Sequence, residues 1–254
     1  MVCANGFRRF LTVSTCILAV GSTTALAART ALSVTATNAN GTGTFVVTLP
    51  EGDGGFVWRL TNPVPIVDSN TGAVIADLQG ASVAVNYDTV AERGGMSPEV
   101  NLGFAVQAGV SNTAFMITSA LVPVGPFTSA EGRASAAYTV TDLTGNGVTL
   151  DGDGPTGGGY LAQYNGFVPV GSTFTEGINS LTAAGAFGSN STSLNTPGAG
   201  FLPIPGTVSD MSSMIAFTLT AGDFASGTTN YQIVPEPATC GLLALAALAI
   251  VRRR

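Results

Sequence analysis

The sequence has no histidine and no lysine, so any chemistry rests on carboxylates, amides, hydroxyls and aromatic rings. The densest set of oxygen ligands is Asp142, Asn146, Asp151 and Asp153, within Asp142-Leu-Thr-Gly-Asn-Gly and Asp151-Gly-Asp-Gly. Calcium takes six to eight oxygens, and carboxylates two residues apart in a tight turn can point inward together. Against an EF-hand loop beginning at Asp142, the residues Asn146, Gly147 and Asp153 fall at suitable positions. Thr144 stands at the third position, however, and the closing glutamate is missing. The bland alternative is a solvated turn whose Asp and Asn side chains bond their own backbone. Calcium is the one cofactor the sequence suggests, and only in this loop.

A second group, Tyr160, Gln163, Tyr164, Asn165 and Phe167, has rings to stack on sugar faces and amides to bond hydroxyls. With Trp58, Tyr160 and Tyr164 are the candidate carbohydrate contacts. The tyrosines share strand parity, so one inward face filling the core is the simpler account. Glycosidase chemistry needs two acids flanking the bond at roughly 5–9.5 Å. Glu51, Asp53, Glu92, Glu99, Glu131 and Glu176 are available, most beside Gly or Pro in apparent loops, where acids serve solubility. No catalytic residue is assigned, and the chain reads as non-enzymatic.

The missing residue types exclude much else. Without histidine there is no Ser-His-Asp or Cys-His machinery and no imidazole ligand. Without lysine there is no Schiff base and no P-loop. A net charge of −6 argues against nucleic acid, which needs clustered Lys and Arg.

The elements that would carry these residues are strands. Leu32, Val34 and Ala36 alternate with Ser33, Thr35 and Thr37. The same period of two recurs at Val83–Tyr87, Leu102–Val106, Phe115–Ile117, Tyr138–Val140 and Ile215–Leu219. Turn signals fall between: Asn40-Gly41, Asn70-Thr71-Gly72, Gly94-Gly95, Gly145-Asn146-Gly147 and Asn165-Gly166. The segments 32–37 and 44–49 form the best hairpin candidate. Residues 188–206, rich in Ser, Asn, Thr, Gly and Pro, read as a long loop, followed by a late strand over 211–219. This pattern predicts an all-β fold, an antiparallel, jelly-roll-like β-sandwich.

The two ends differ from this middle. Arg8 and Arg9 precede an apolar run, Phe10 to Val20, and then Ala25-Leu26-Ala27. A basic start, a short apolar stretch and an A-x-A exit read as a secretory signal peptide over 1–27, with Ala25 and Ala27 in the signal peptidase subsites. At the other end, Pro235-Glu236-Pro237 precedes an apolar stretch from Ala238 to Val251, interrupted by no charge, and then Arg252-Arg253-Arg254. As a helix at ~1.5 Å per residue the stretch is ~21 Å long, short of a ~30 Å bilayer core. The arginines hold the cytoplasmic side. Such a helix halts the chain yet anchors it marginally, which suits a temporary tether.

Pro-Glu-Pro, a short apolar helix and a terminal arginine cluster together resemble the PEP-CTERM sorting signal of Gram-negative bacteria. The resemblance covers residues 235–254. It implies recognition by an exosortase, a membrane-embedded cysteine transpeptidase or protease that cuts near Pro235-Glu236-Pro237 and releases the protein to the surface or exopolysaccharide matrix. The domain between, residues 28–234, keeps four arginines against fourteen acids, a net of −10, and none of the three cysteines. The expectation is therefore an exported, non-enzymatic surface or matrix protein. Signal peptidase and an exosortase are its processing partners, exopolysaccharide is a candidate partner, and its membrane contact is transient. The alternatives are a carbohydrate- or calcium-binding module and, last, a carboxylate glycoside hydrolase.

Overall fold

The computed structural model describes residues 28–50, 55–90 and 95–236, and among them there is strand and turn but no helix. The signal peptide, Ala25 and Ala27, the expected C-terminal helix, Pro237, Arg252–Arg254, and the acids Glu51, Asp53 and Glu92 lie outside the described residues. So does Gly94 of the Gly94-Gly95 turn.

Among the described residues, seventeen strands follow one another. They are β1 (Ala28–Asn38), β2 (Gly41–Pro50), β3 (Phe56–Arg59), β4 (Val64–Val67), β5 (Val74–Val90) and β6 (Gly95–Ala108). Next come β7 (Thr113–Ser119), β8 (Val122–Phe127), β9 (Ala130–Thr141), β10 (Val148–Gly152), β11 (Tyr160–Tyr164) and β12 (Ser172–Gly177). The last are β13 (Ser180–Ala183), β14 (Ser189–Thr196), β15 (Leu202–Ile204), β16 (Val208–Leu219) and β17 (Phe224–Pro235). They form two antiparallel sheets. The first runs β12-β11-β16-β7-β1-β2, with β8 and β10 also paired to β16 and β13 to β10; the second runs β14-β9-β17-β6-β5-β3, with β15 on β9 and β4 on β5.

Alternation along each strand dictates which face is buried. Leu32, Val34 and Ala36 of β1 face inward with Phe115 and Ile117 of β7 and Ile215, Phe217 and Leu219 of β16. The second sheet answers with Val83 and Val85, Leu102, Phe104 and Val106, and Tyr138 and Val140. The sheets meet through rings: Phe217 lies 5.5 Å from Phe104 and 6.4 Å from Tyr138, while Phe104 and Tyr138 pack edge-on at 5.2 Å. Gly227 of β17 makes room for them, since a Cβ there would sit 2.5 Å from the Tyr138 ring and 2.7 Å from the Phe104 ring.

The hairpin expected around Asn38–Gly41 forms, with Asn38 opposite Gly41 and a two-residue turn between. Asp68, in the turn after β4, braces it. Its carboxylate accepts the N–H groups of Thr42, Asn70 and Thr71 and the Thr71 hydroxyl. Gly41 has φ +132°, and a Cβ there would run into that carboxylate, so glycine is required. One expectation is corrected. Residues 188–206 are not a long loop: β14 and β15 lie within them, both paired to β9. The edge strand β14, SNSTSLNT, carries Leu194 as its one apolar residue, so its sequence has no hydrophobic alternation to reveal it.

Candidate functional site

The centre of the outer face of the second sheet is built from small and polar side chains. Its registers align Ser193, Ala137, Thr228, Gly103, Ser82 and Arg59 in one row across β14, β9, β17, β6, β5 and β3. With so little side-chain bulk at its centre, the face is concave. A trough of about 600 Å³ runs over Thr139, Ser191, Ser193 and Thr228, and a cavity of about 260 Å³ continues it to Ser82 and Arg59, sharing Phe104, Gly227 and Thr228. Further along the same face, Arg133, Ser135, Asn195 and Asn230 border about 410 Å³. There the Asn230 amide donates to Glu99 and to Asn101 (2.8 Å), and Asn101 donates to Glu99 at 2.7 Å. Sequence reading missed this surface because its signal, Ser, Thr, Gly and Ala at outward positions, acquires meaning only once the strand order is known.

The acidic loop follows the turn alternative, its side chains bonding nearby backbone and hydroxyl groups. Asp142 is 1% exposed, at the end of β9. Its Oδ1 accepts the N–H groups of Thr144 and Gly145, and its Oδ2 those of Gly147 and Phe187. Burial pushes this carboxyl up, but the backbone donors of Gly147, Phe187, Gly145 and Thr144 outweigh it and hold the group well below the ordinary carboxylate range. Asn146 accepts the Thr144 hydroxyl at 2.6 Å, Asp151 accepts from Ser180 at 2.8 Å, and Asp153 accepts from Thr218 at 2.7 Å. Asp151 and Asp153 thus have separate partners, whereas Asp142 and Asn146 share the Thr144 hydroxyl. No group of three or more metal-ligating acids, histidines or cysteines gathers among the described residues. The loop is a capped turn.

The carbohydrate expectation is corrected more sharply. Tyr160 is 0% exposed and Tyr164 8%, both facing the core from β11. Rings with no open face cannot stack on a sugar. Trp58 lies on β3 in the other sheet, half-buried against Phe45 with ring centroids 5.9 Å apart. The three do not form one patch. Of the acids considered for hydrolysis, Glu99 is held by the two asparagines, and Glu176 accepts the N–H groups of Thr156 (2.9 Å) and Gly158 (2.7 Å) in the glycine-rich loop after β10. Among the described residues, no Asp or Glu lines the three cavities just named on the outer face of the second sheet, nor that of about 410 Å³ beside Asn146 and Thr220.

The remaining site is where the sandwich ends. β17 is a central strand of the second sheet, between β9 and β6. Its pairing with β6 stops at Gln232, opposite Glu99, while its pairing with β9 continues through Ile233, Val234 and Pro235 to Ala130. Ile233 and Val234 are buried, and the Glu236 N–H donates to the Ser129 carbonyl at 3.1 Å. Residues 234–254 match the family model of the PEP-CTERM protein-sorting motif. The chain ends in a PEP-CTERM signal.

That motif marks the chain for export to the cell surface and processing by an exosortase. Its first residues, Val234 and Pro235, are also the last residues of β17, and Glu236 is bonded to Ser129 just beyond. No curated protein matches the sequence. Among solved structures, "Structure of infectious bursal disease virus Gx strain" aligns at 14% identity over 82% of this chain and 58% of that one, with a TM-score of 0.28. "Crystal structure of infectious bursal disease virus VP2 subviral particle" aligns at 13% identity over 89% and 74%, with a TM-score of 0.16. The chain therefore spans less than two thirds of the first of these structures.

Proposed function

We propose that this is a non-enzymatic protein of the cell surface or extracellular matrix. It is exported by its N-terminal signal, held briefly in the membrane by the apolar stretch 238–251, and released by an exosortase into an exopolysaccharide-rich surrounding. The observation that carries this reading is the junction at β17, where the sorting motif begins on the strand that completes the sandwich. Removing the tail near that junction leaves both sheets whole. The mature body is acidic and free of lysine and cysteine, which favours solubility and self-repulsion over adhesion. Its jelly-roll-like connectivity belongs to this reading too, as a rigid body whose role is presence rather than turnover.

The test is cell fractionation of the native host with and without its exosortase. The account expects the protein in the surface and medium fractions of the wild type and in the membrane fraction, with its tail attached, of the mutant. Equal distribution in both strains would oppose it.

A second reading, a polysaccharide-binding module, is favoured by one observation: the trough over Thr139, Ser191, Ser193 and Thr228, lined by hydroxyls and no carboxylate. It moves the sugar contacts away from Trp58, Tyr160 and Tyr164. Filling the trough with Ser193→Trp should abolish retention on a column of the host's exopolysaccharide; unchanged retention would discard this reading.

A further inference from the structure

An enzyme that cuts a peptide chain engages it as an extended strand, taking up backbone N–H and C=O groups on either side of the bond. Those groups must be free. At the end of β17 those on the β9 side are occupied: Val234 pairs with Glu131 and Pro235 with Ala130, and the Glu236 N–H is bonded to Ser129. Freeing them would also lift Ile233 and Val234 out of the core, where both are buried. No spacer separates the sandwich from the motif, because residue 234 is both the last fully buried position of the strand and the first residue of the sorting match.

We propose that the sandwich itself selects the cleavage position: in the folded protein Pro235 and Glu236 are held by β9 and Ser129, and the bond severed lies beyond the one that joins Glu236 to Pro237. This rests on the exosortase reading above. The step conserves the usual balance. The enzyme's thiolate adds to a carbonyl carbon, the C–N bond breaks, and the departing nitrogen takes a proton. The acyl group then passes to water or a primary amine, regenerating the thiol. The mature domain keeps Pro235 and Glu236 near its carboxyl end, and the backbone bond that pins Glu236 to Ser129 survives processing.

Two measurements test this. The first is C-terminal peptide sequencing of protein recovered from the host surface. The expected C-terminus is a residue later than Glu236; one at Glu236, Pro235 or earlier overturns the proposal. The second is limited digestion of the full-length precursor in mild detergent with a protease of broad specificity. Cutting that begins only beyond Glu236 supports the hold, and early cutting between Gln232 and Glu236 refutes it. If surface protein keeps its entire tail, the exosortase reading fails, and the digestion boundary still decides whether the sheet shields the motif.

Discussion

Asp142 shows how one side chain serves structure where its sequence context suggested chemistry. With four backbone N–H groups on its two oxygens, it closes the β9–β10 connection and ties it to Phe187. Asp142→Asn turns one acceptor into a donor facing those N–H groups, so the melting temperature at neutral pH should fall by several degrees. Asp68 is held low too, by the backbone N–H of Thr71 first, then by Thr42. Both carboxyls have folded-state values below their ordinary 3.8. Their stabilisation is therefore complete above that value and drains away as pH falls through the folded values. Thermal melts should be flat from pH 7 to about 5 and decline below about 4, with a shallower decline in Asp142→Asn. A mutant as acid-sensitive as the parent would refute the assignment. Millimolar calcium should leave the melting curve unmoved, because the oxygens of this loop already have donors; a stabilised melt would restore the ion. The tyrosines make a matched pair. Tyr138 donates to the Gly159 carbonyl at 2.9 Å, whereas the buried Tyr231 hydroxyl finds no partner among the described residues. Tyr138→Phe should cost about 0.5–1.5 kcal/mol and Tyr231→Phe nothing, or a small gain, in urea unfolding.

Elements were legible where one face was apolar and the other polar. Leu32, Val34 and Ala36 announced β1, and Asn38–Gly41 announced its turn, because burial on one side leaves a period of two in the sequence. β14 left no such trace: at the sheet edge most of its residues meet water, and it pairs with β9 through its backbone. β11 misled in another way. All five of its residues are buried, so aromatic rings that resembled a sugar platform are interior packing. Parity had pointed to this answer, and the structure agrees. The hardest feature to foresee was Gly227. Its importance comes from rings on β6 and β9, more than eighty residues away in sequence. Gly227→Ala would push a methyl group into Tyr138 and Phe104, an overpacking cost of about 1–3 kcal/mol. Urea titration of this variant tests the central role of that contact, and an unchanged midpoint would deny it.

At the scale of the whole molecule, sequence and structure divide the information unevenly. The tail's sorting motif was written locally, in Pro235-Glu236-Pro237 and Arg252–Arg254, and the family model matches it. The two-sheet architecture followed from repeated alternation. The candidate surface did not, since a trough assembled from β14, β9, β17, β6 and β5 depends on strand neighbours that no local pattern encodes. What unites the parts is the seam at Val234–Glu236, where a finished sandwich passes without a linker into its sorting signal. The most direct test is the intact mass of the protein extracted from the surface of its native host. The account predicts a species that begins at Ala28 and lacks Arg252–Arg254 together with the apolar stretch before them. A surface species with the mass of the uncut tail would contradict it.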